Sequence, residues 1–290
     1  MSHESLTRRV RYDIDTVKPA TDGLAWFCAD LGITKQIRGA PRSSLVTGLP
    51  TFRRRRGKEV MKIVVIGGTG ILGSRVVDRL RDHGDEAVPA SPSTGVNTLT
   101  GDGLAEALTG ADVVVDVSNS PSFEDGPVMR FFTASTTNLE AAAKAAGVGH
   151  YVAVSIVGAD QLPLSGYLRA KVAQEKIIEE SEIPYSIVRS TQFAEFTDRI
   201  AASMTVGDEV RVPDALIQPI AVDELAAKVA DVAEGEPLGR IENIGGHEKI
   251  TFEQMAHEVL ARQGEAKDVV VDAQVGYFGT PLSRSSLVTA

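Results

Sequence analysis

From Met61 onward, short apolar runs alternate with stretches in which apolar residues recur every three or four positions. The short runs are rich in Val and Ile, as strands buried on both faces require: Ile63–Ile66, Glu86–Ala90, Val113–Val117, Tyr151–Ile156 and Tyr185–Val188. Between them the period lengthens to that of an amphipathic helix over Ser74–His83, Leu104–Leu108, Val128–Ala146, Tyr167–Ser181 and Asp223–Ala233. Strand and helix in alternation make βαβ units with right-handed crossovers. The pattern therefore predicts an α/β fold, a doubly wound parallel sheet with its ligand outside the carboxyl ends of the strands.

Residues 1–60 break the pattern, lacking sustained periodicity and carrying the opposite charge. They hold 12 Lys+Arg against 6 Asp+Glu, and the rest of the chain holds 18 against 33, for a net charge of −9. The segment ends in Arg53-Arg54-Arg55-Arg56, so a boundary is expected at 60/61, with an irregular N-terminal extension before it. Three origins stay open. It is a basic arm for nucleic acid or targeting, a small module with a helix over Leu24–Leu31, or a stretch outside the natural reading frame. The last is favoured because Met61 opens the first strand directly. A signal peptide is not expected, since no apolar stretch follows the N-terminal charges.

Composition narrows the classes further. A hydrophobic content of 43% and a mean hydropathy of −0.02 describe an ordinary globular chain. No apolar run approaches the roughly 18 residues that cross a bilayer, so no membrane partner is expected. The single cysteine, Cys28, permits no intrachain disulfide, and the cytoplasm is the expected location. The acidic body argues against nucleic acid as a partner except through the basic extension. The five histidines show no metal-ligand spacing, so no metal is expected. Neither a Gly-x-Ser-x-Gly elbow nor a Walker A loop is present, which argues against hydrolysis and phosphoryl transfer.

The candidate chemistry begins at the first strand end, in Gly67-Gly68-Thr69-Gly70-Ile71-Leu72-Gly73. Gly67 lets the chain turn sharply, Gly70 leaves room for phosphates, and Gly73 lets the following helix pack close to the strand. A dinucleotide pyrophosphate on the helix N-terminus is the expected occupant, with Thr69, Ile71 and Leu72 in the same cradle. The second strand runs into Ser91-Pro92-Ser93-Thr94, without the carboxylate that holds the ribose 2′-hydroxyl of NAD. NADP is therefore favoured, with NAD possible, and Ser91 and Ser93 are candidate contacts. The third strand ends in Ser118 and Asn119, small polar residues expected beneath the ribose and nicotinamide. Asp116 belongs to that strand end and is either part of the site or buried and paired.

Ser155 lies near the end of the fourth strand, and Tyr167 and Lys171 follow, four residues apart on one helical face. An ammonium beside a phenol favours phenolate, so Tyr167 is expected to exchange a proton with a substrate oxygen while hydride moves at a nicotinamide. Lys171 is also expected to bond the nicotinamide ribose, and Ser155 to hold the substrate oxygen.

From Met61 to the C-terminus the chain resembles the NmrA-like atypical short-chain dehydrogenase/reductases, whose fold is Rossmann-like. The resemblance is carried by residues 67–73, Ala111-Asp112-Val113-Val114-Val115-Asp116, Tyr167-x-x-x-Lys171 with Glu175, Ile183 to Arg189, and Gln218 to Asp223. It implies a small C-terminal substrate lobe, from about 190–222 and 236–290, in which Gln192, Phe193 and Phe196 face the nicotinamide and suit a flat acceptor. It also implies a last helix beyond Ala290, hence a shortened C-terminus. The family holds reductases of quinones, imines and phenylpropanoid ethers, and regulators that bind NADP without turnover. The expected function is thus an NAD(P)H-dependent oxidoreductase of a small carbonyl or quinone-like substrate, with a non-enzymatic NADP redox sensor as the alternative.

Overall fold

The computed structural model describes residues 60–290. The basic extension, the Leu24–Leu31 helix and Cys28 lie outside the described residues. Among the described residues, no helix is long and apolar enough to cross a membrane.

Six strands form one parallel sheet: β1 (Lys62–Ile66), β2 (Glu86–Ala90), β3 (Val113–Asp116), β4 (His150–Ile156), β5 (Tyr185–Ser190) and, named out of turn, β9 (Ile241–Ile244). Their order is β2-β1-β3-β4-β5-β9. The chain moves from β1 to β2 on one side and then crosses to β3 on the other. The order reverses there, opening a crevice at the carboxyl end of β1. Alternate side chains of β1 enter opposite cores. Ile63 and Val65 pack with Val76 and Leu80 of α1 (Ile71–Asp82) and Leu225 and Val229 of α6 (Val222–Ala233). Val64 and Ile66 pack with Leu104 and Leu108 of α2 (Leu104–Leu108) and Leu139 of α3 (Asp125–Ala146). Burial on both faces explains why these strands are nearly all apolar.

A third core builds the C-terminal part. Leu168 of α4 (Gly166–Glu179), Ile200 of α5 (Thr197–Ser203), Val210 and Val212 of β7 (Glu209–Val212), and Ile217 of β8 (Leu216–Ile217) pack with Phe252 and Met255 of α7 (Phe252–Gln263). β7 lies between β6 (Thr205–Val206) and β11 (Asp268–Val271), and β8 pairs with β10 (Ile250–Thr251). The last residues close this core: Leu287 is fully buried, and the Thr289 amide donates to Gln218 Oε1 at 2.9 Å. They pass over Gly158, where a Cβ would lie 1.9 Å from the Ser286 carbonyl oxygen.

Three expectations change. α1 begins at Ile71 rather than Ser74, because Gly70 is extended and serves as its N-cap. β9 adds a sixth strand, so part of segment 236–290 belongs to the main sheet and not to the lobe. Its Ile-Glu-Asn-Ile sequence is too polar to announce a buried parallel strand. α7 was also absent from the pattern above, although Phe252, Met255, Ala256, Val259 and Leu260 form a helical stripe behind a Thr251 cap.

Candidate functional site

The carboxyl ends of β1, β3, β4 and β5 open into one cleft of about 610 Å³, within the range of ligand pockets. Lys171 is the single formally charged side chain on its wall among the described residues.

At the end of β1, Gly67 has φ +78°, and its amide donates to Ala90 O at 2.8 Å, joining the loop to β2. A Cβ on Gly73 would lie 2.1 Å from Gly67 O, so helix and loop touch only because that atom is missing. Gly68, given no role in the sequence, is under the same restraint, its Cβ falling 2.6 Å from Val65 O and 2.7 Å from Pro89 Cα. Gly70 differs. A Cβ there would meet Gly67 O alone, at 3.2 Å, so what its glycine preserves is open cleft rather than packing. The first intrahelical bond is Ser74 N to Gly70 O, and α1 has neither a side-chain cap nor an acidic residue in its first turn. Its leading amides and positive dipole end thus face the cleft without an anionic side chain. These features fit a dinucleotide pyrophosphate.

Beyond β2 the hydroxyls form a chain. Thr69 Oγ1 donates to Ser91 Oγ at 3.1 Å, and Ser91 Oγ lies 2.8 Å from Ser93 Oγ. Ser91 and Thr69 line the cleft, while Ser93 stands behind Ser91 and is not part of the wall. No carboxylate lines this end.

Beyond β3, Ser118 and Asn119 line the cleft. Asp116 is buried and fully engaged: Ser118 N and Oγ donate to its Oδ1 at 3.0 and 2.6 Å, and Tyr151 OH and Gln174 Nε2 donate to its Oδ2 at 3.2 and 2.9 Å. The choice left open for Asp116 thus resolves toward a buried, paired carboxylate.

Tyr167 and Lys171 are positioned by the first turn of α4. Ser165 Oγ caps the helix by accepting from Leu168 N, and Arg169 pairs with Asp125 of α3 at 2.6 Å. Gly166 admits α3, since its Cβ would overlap the Asp125 carboxylate. The Tyr167 hydroxyl donates to Asn119 Oδ1 at 3.0 Å. Lys171 turns inward: its Nζ donates to Val154 O at 2.9 Å and to Gln174 Oε1, and lies 4.4 Å from the centre of the Phe132 ring. Burial lowers its pKa to about 8, against the opposing pull of Asp116 and Glu175. Both side chains line the cleft, but hydroxyl and ammonium take different partners.

Ser155 and Gln192 complete the inner wall. Ser155 Oγ, Thr191 Oγ1 and both amide atoms of Gln192 are buried without a hydrogen-bond partner. Each such atom carries a desolvation cost of about 1–3 kcal/mol, concentrated here at the ends of two adjacent strands. Aromatic rings line the same cleft: the ring of Tyr167 lies 5.0 Å from Phe123 and 5.5 Å from Phe278, and Phe193 lies 5.3 Å from Phe196. Phe278 holds φ +49°, the single non-glycine residue among those described with a positive φ. Sequence reading missed Phe123, Tyr277 and Phe278, which lie on irregular segments without a period. It also missed Gln174, for which the spacing of three from Lys171 on one helix was the available signal.

The glycine loop through the end of α6 matches the NAD(P)H-binding family over residues 67–234. Among curated proteins, the photosystem II assembly factor Ycf39 of Synechocystis is 26% identical over 147 residues, 46% of this chain and 45% of that protein. The Ycf39 of Cyanophora paradoxa is 27% identical over the same length, so this chain spans less than half of the curated relatives it matches. Among solved structures, Bordetella bronchiseptica WbmG in complex with NAD superposes with a TM-score of 0.61 at 17% identity, over 78% of this chain and 85% of that one. The dTDP-4-dehydrorhamnose reductase of Bacillus anthracis in complex with NADP gives 0.61 at 14% identity, over 78% and 88%. Likeness at such identities concerns the fold. The family match covers more than half of the chain, and with the motifs above it makes this protein a member of the NAD(P)H-binding family of NmrA-like atypical short-chain dehydrogenase/reductases.

Proposed function

We propose that this protein is an NAD(P)H-dependent oxidoreductase that delivers hydride to a small carbonyl or quinone-like acceptor. The observation that carries the reading is that Ser155, Tyr167 and Lys171 all line one cleft that also holds the uncapped N-terminus of α1. Gly67, Thr69, Gly70, Ile71, Leu72 and Gly73 would hold the pyrophosphate, and Ser118 and Asn119 the ribose next to the nicotinamide. Ser91, backed by Ser93, would meet the adenosine ribose, where the lack of a carboxylate favours NADP over NAD.

Bound in this cleft, NAD(P)H would supply two electrons as a hydride. The chain's own residues hold the acceptor and supply the proton. Ser155 Oγ and Tyr167 OH donate to the acceptor oxygen, and the Tyr167 proton passes to that oxygen as negative charge develops there. The Lys171 charge, held at low dielectric, favours the phenolate left behind, which solvent then reprotonates. One acceptor, one NAD(P)H and one proton thus become an alcohol or hydroquinone and NAD(P)⁺. Gln192, Phe193 and Phe196, with Phe123 and Phe278 lining the same cleft, suit a flat apolar acceptor with polar edges.

The test is NADPH oxidation against a panel of quinones and aldehydes, in wild type, Lys171→Ala and Tyr167→Phe. At least one acceptor should turn over, and each substitution should lower kcat/KM by about 10²-fold or more. Tight NADP(H) binding with no acceptor oxidising the nucleotide would favour the second reading, an NADP-dependent redox sensor. The inward hydrogen bonds of Lys171 are what keep that alternative in play.

A further inference from the structure

Four buried side chains form a continuous polar line beneath the cleft. Tyr151 of β4, Asp116 of β3, and Gln174 and Lys171 of α4 are each at most 3% exposed. Gln174 is the joint. Its carbonyl oxygen accepts from Lys171 Nζ, while its amide nitrogen donates to Asp116 Oδ2 at 2.9 Å. Both ends of the amide are occupied by opposite charges, so the orientation of this side chain is fixed by its partners. Asp116 is held in turn from the cleft side by Ser118 and from below by Tyr151.

A carboxylate and an ammonium in such surroundings attract each other strongly, and a direct ion pair is the simplest arrangement. Here an amide stands between them. The ammonium stays on the cleft wall, one turn from Tyr167, and is not drawn down onto Asp116, yet the carboxylate's influence still reaches it through the polarised amide. We infer that Gln174 is a positioning residue: its side-chain amide couples the Asp116 carboxylate to Lys171, setting both where the ammonium sits and whether it keeps its proton. The inference rests on the proposed role of Lys171 in the cleft and adds to it the two residues that govern that role. Methionine at 174 would fill the same space and leave Lys171 without this acceptor and Asp116 without this donor.

Other charges bear on Lys171. Glu175 follows on α4 but is held in a two-pronged pair by Arg189 of β5, at 2.8 and 2.7 Å, and Arg189 also meets Asp160 at 3.0 Å. Tyr151 and Tyr167 are the neighbouring phenols. α3 presents the Phe132 ring, its Asp125 being engaged by Arg169. Of the carboxylates, Asp116 is the one joined to Lys171 through a hydrogen-bonded chain.

The test is an NMR titration of the full chain labelled with ¹³Cε-lysine, the Lys171 signal being identified by its loss in Lys171→Met. In wild type Lys171 should titrate near 8, well below the exposed lysines. Gln174→Met removes the acceptor and Asp116→Asn removes the negative charge, so each should lower that midpoint by about one pH unit or more. Gln174→Glu restores an acceptor and should keep the midpoint at or above wild type. The alkaline limb of the pH profile of kcat/KM should move with the NMR midpoint in every variant. If Gln174→Met does not fold, Asp116→Asn and Gln174→Glu decide by the same signs. Midpoints equal to wild type in the variants, or a loss of activity at all pH values without a shift, would overturn the inference. Shifted midpoints in a protein that reduces no acceptor would sink the hydride-transfer reading while leaving the coupling intact.

Discussion

Gly70 and Gly73 look alike in the sequence, yet the structure assigns them different work. A methyl group on Gly73 collides with backbone 2.1 Å away, whereas one on Gly70 meets a single carbonyl oxygen at 3.2 Å and otherwise projects into open cleft. Gly73→Ala should therefore cost about 2 kcal/mol or more and lower the Tm by several degrees. Gly70→Ala should leave the Tm within about 2 °C while weakening NADPH binding about tenfold or more, as calorimetric titration would show. At this scale the sequence is legible where chemistry needs a particular atom or its absence, as in residues 67–73 and at Lys171. It is mute where a residue acts by what it touches. Nothing in the local sequence says that Gln174 reaches Asp116 across 58 positions, or that Phe278 faces Tyr167. Those contacts exist only once the sheet has brought separate strand ends together.

Strands and helices were the most legible elements, because βαβ units repeat an apolar period that survives small errors at the ends. A boundary moved where one residue carries a local exception, as at the extended Gly70, and a whole strand was missed where it is short and polar, as in β9. The β4–β5 pair also carries two consequences that its apolar pattern hides. His150 opens β4 with its Nε2 2.8 Å from Ser186 Oγ of β5, and burial lowers its pKa to about 4. The unfolded chain, titrating near 6.5, takes up a proton that the folded chain refuses between those values. Stability is therefore intact above about pH 6.5 and falls as pH drops toward 4. Urea midpoints across this window should decline more steeply for wild type than for His150→Leu. Farther along the pair, Arg189 is buried and paired with the buried Glu175 of α4, so Glu175→Ala leaves the guanidinium with the half-exposed Asp160 as its ion-pair partner. A loss of about 3 kcal/mol or more in chemical denaturation is expected.

For the whole molecule, one cleft joins two parts of different legibility. The nucleotide half follows from the order of the sheet, and NADPH at about 100 times its Kd should raise stability by about 2.7 kcal/mol, seen as a higher Tm than with equal NADH. The C-terminal half was legible as a location but not as a shape. Its core draws on α4, α5, three short strand pairings and the last residues, with no repeating period to follow. The passage of those residues over Gly158 has a consequence for how the two halves communicate. Gly158 closes the turn that follows β4, three residues from Ser155, and the far end of the chain rests against it like a latch on a door. Lifting that latch, by clipping the chain before Ser286 or by Gly158→Val, should loosen the acceptor side first. Turnover would then fall more than NADPH affinity does, so that damage far from the cleft in sequence is felt where the substrate oxygen is held.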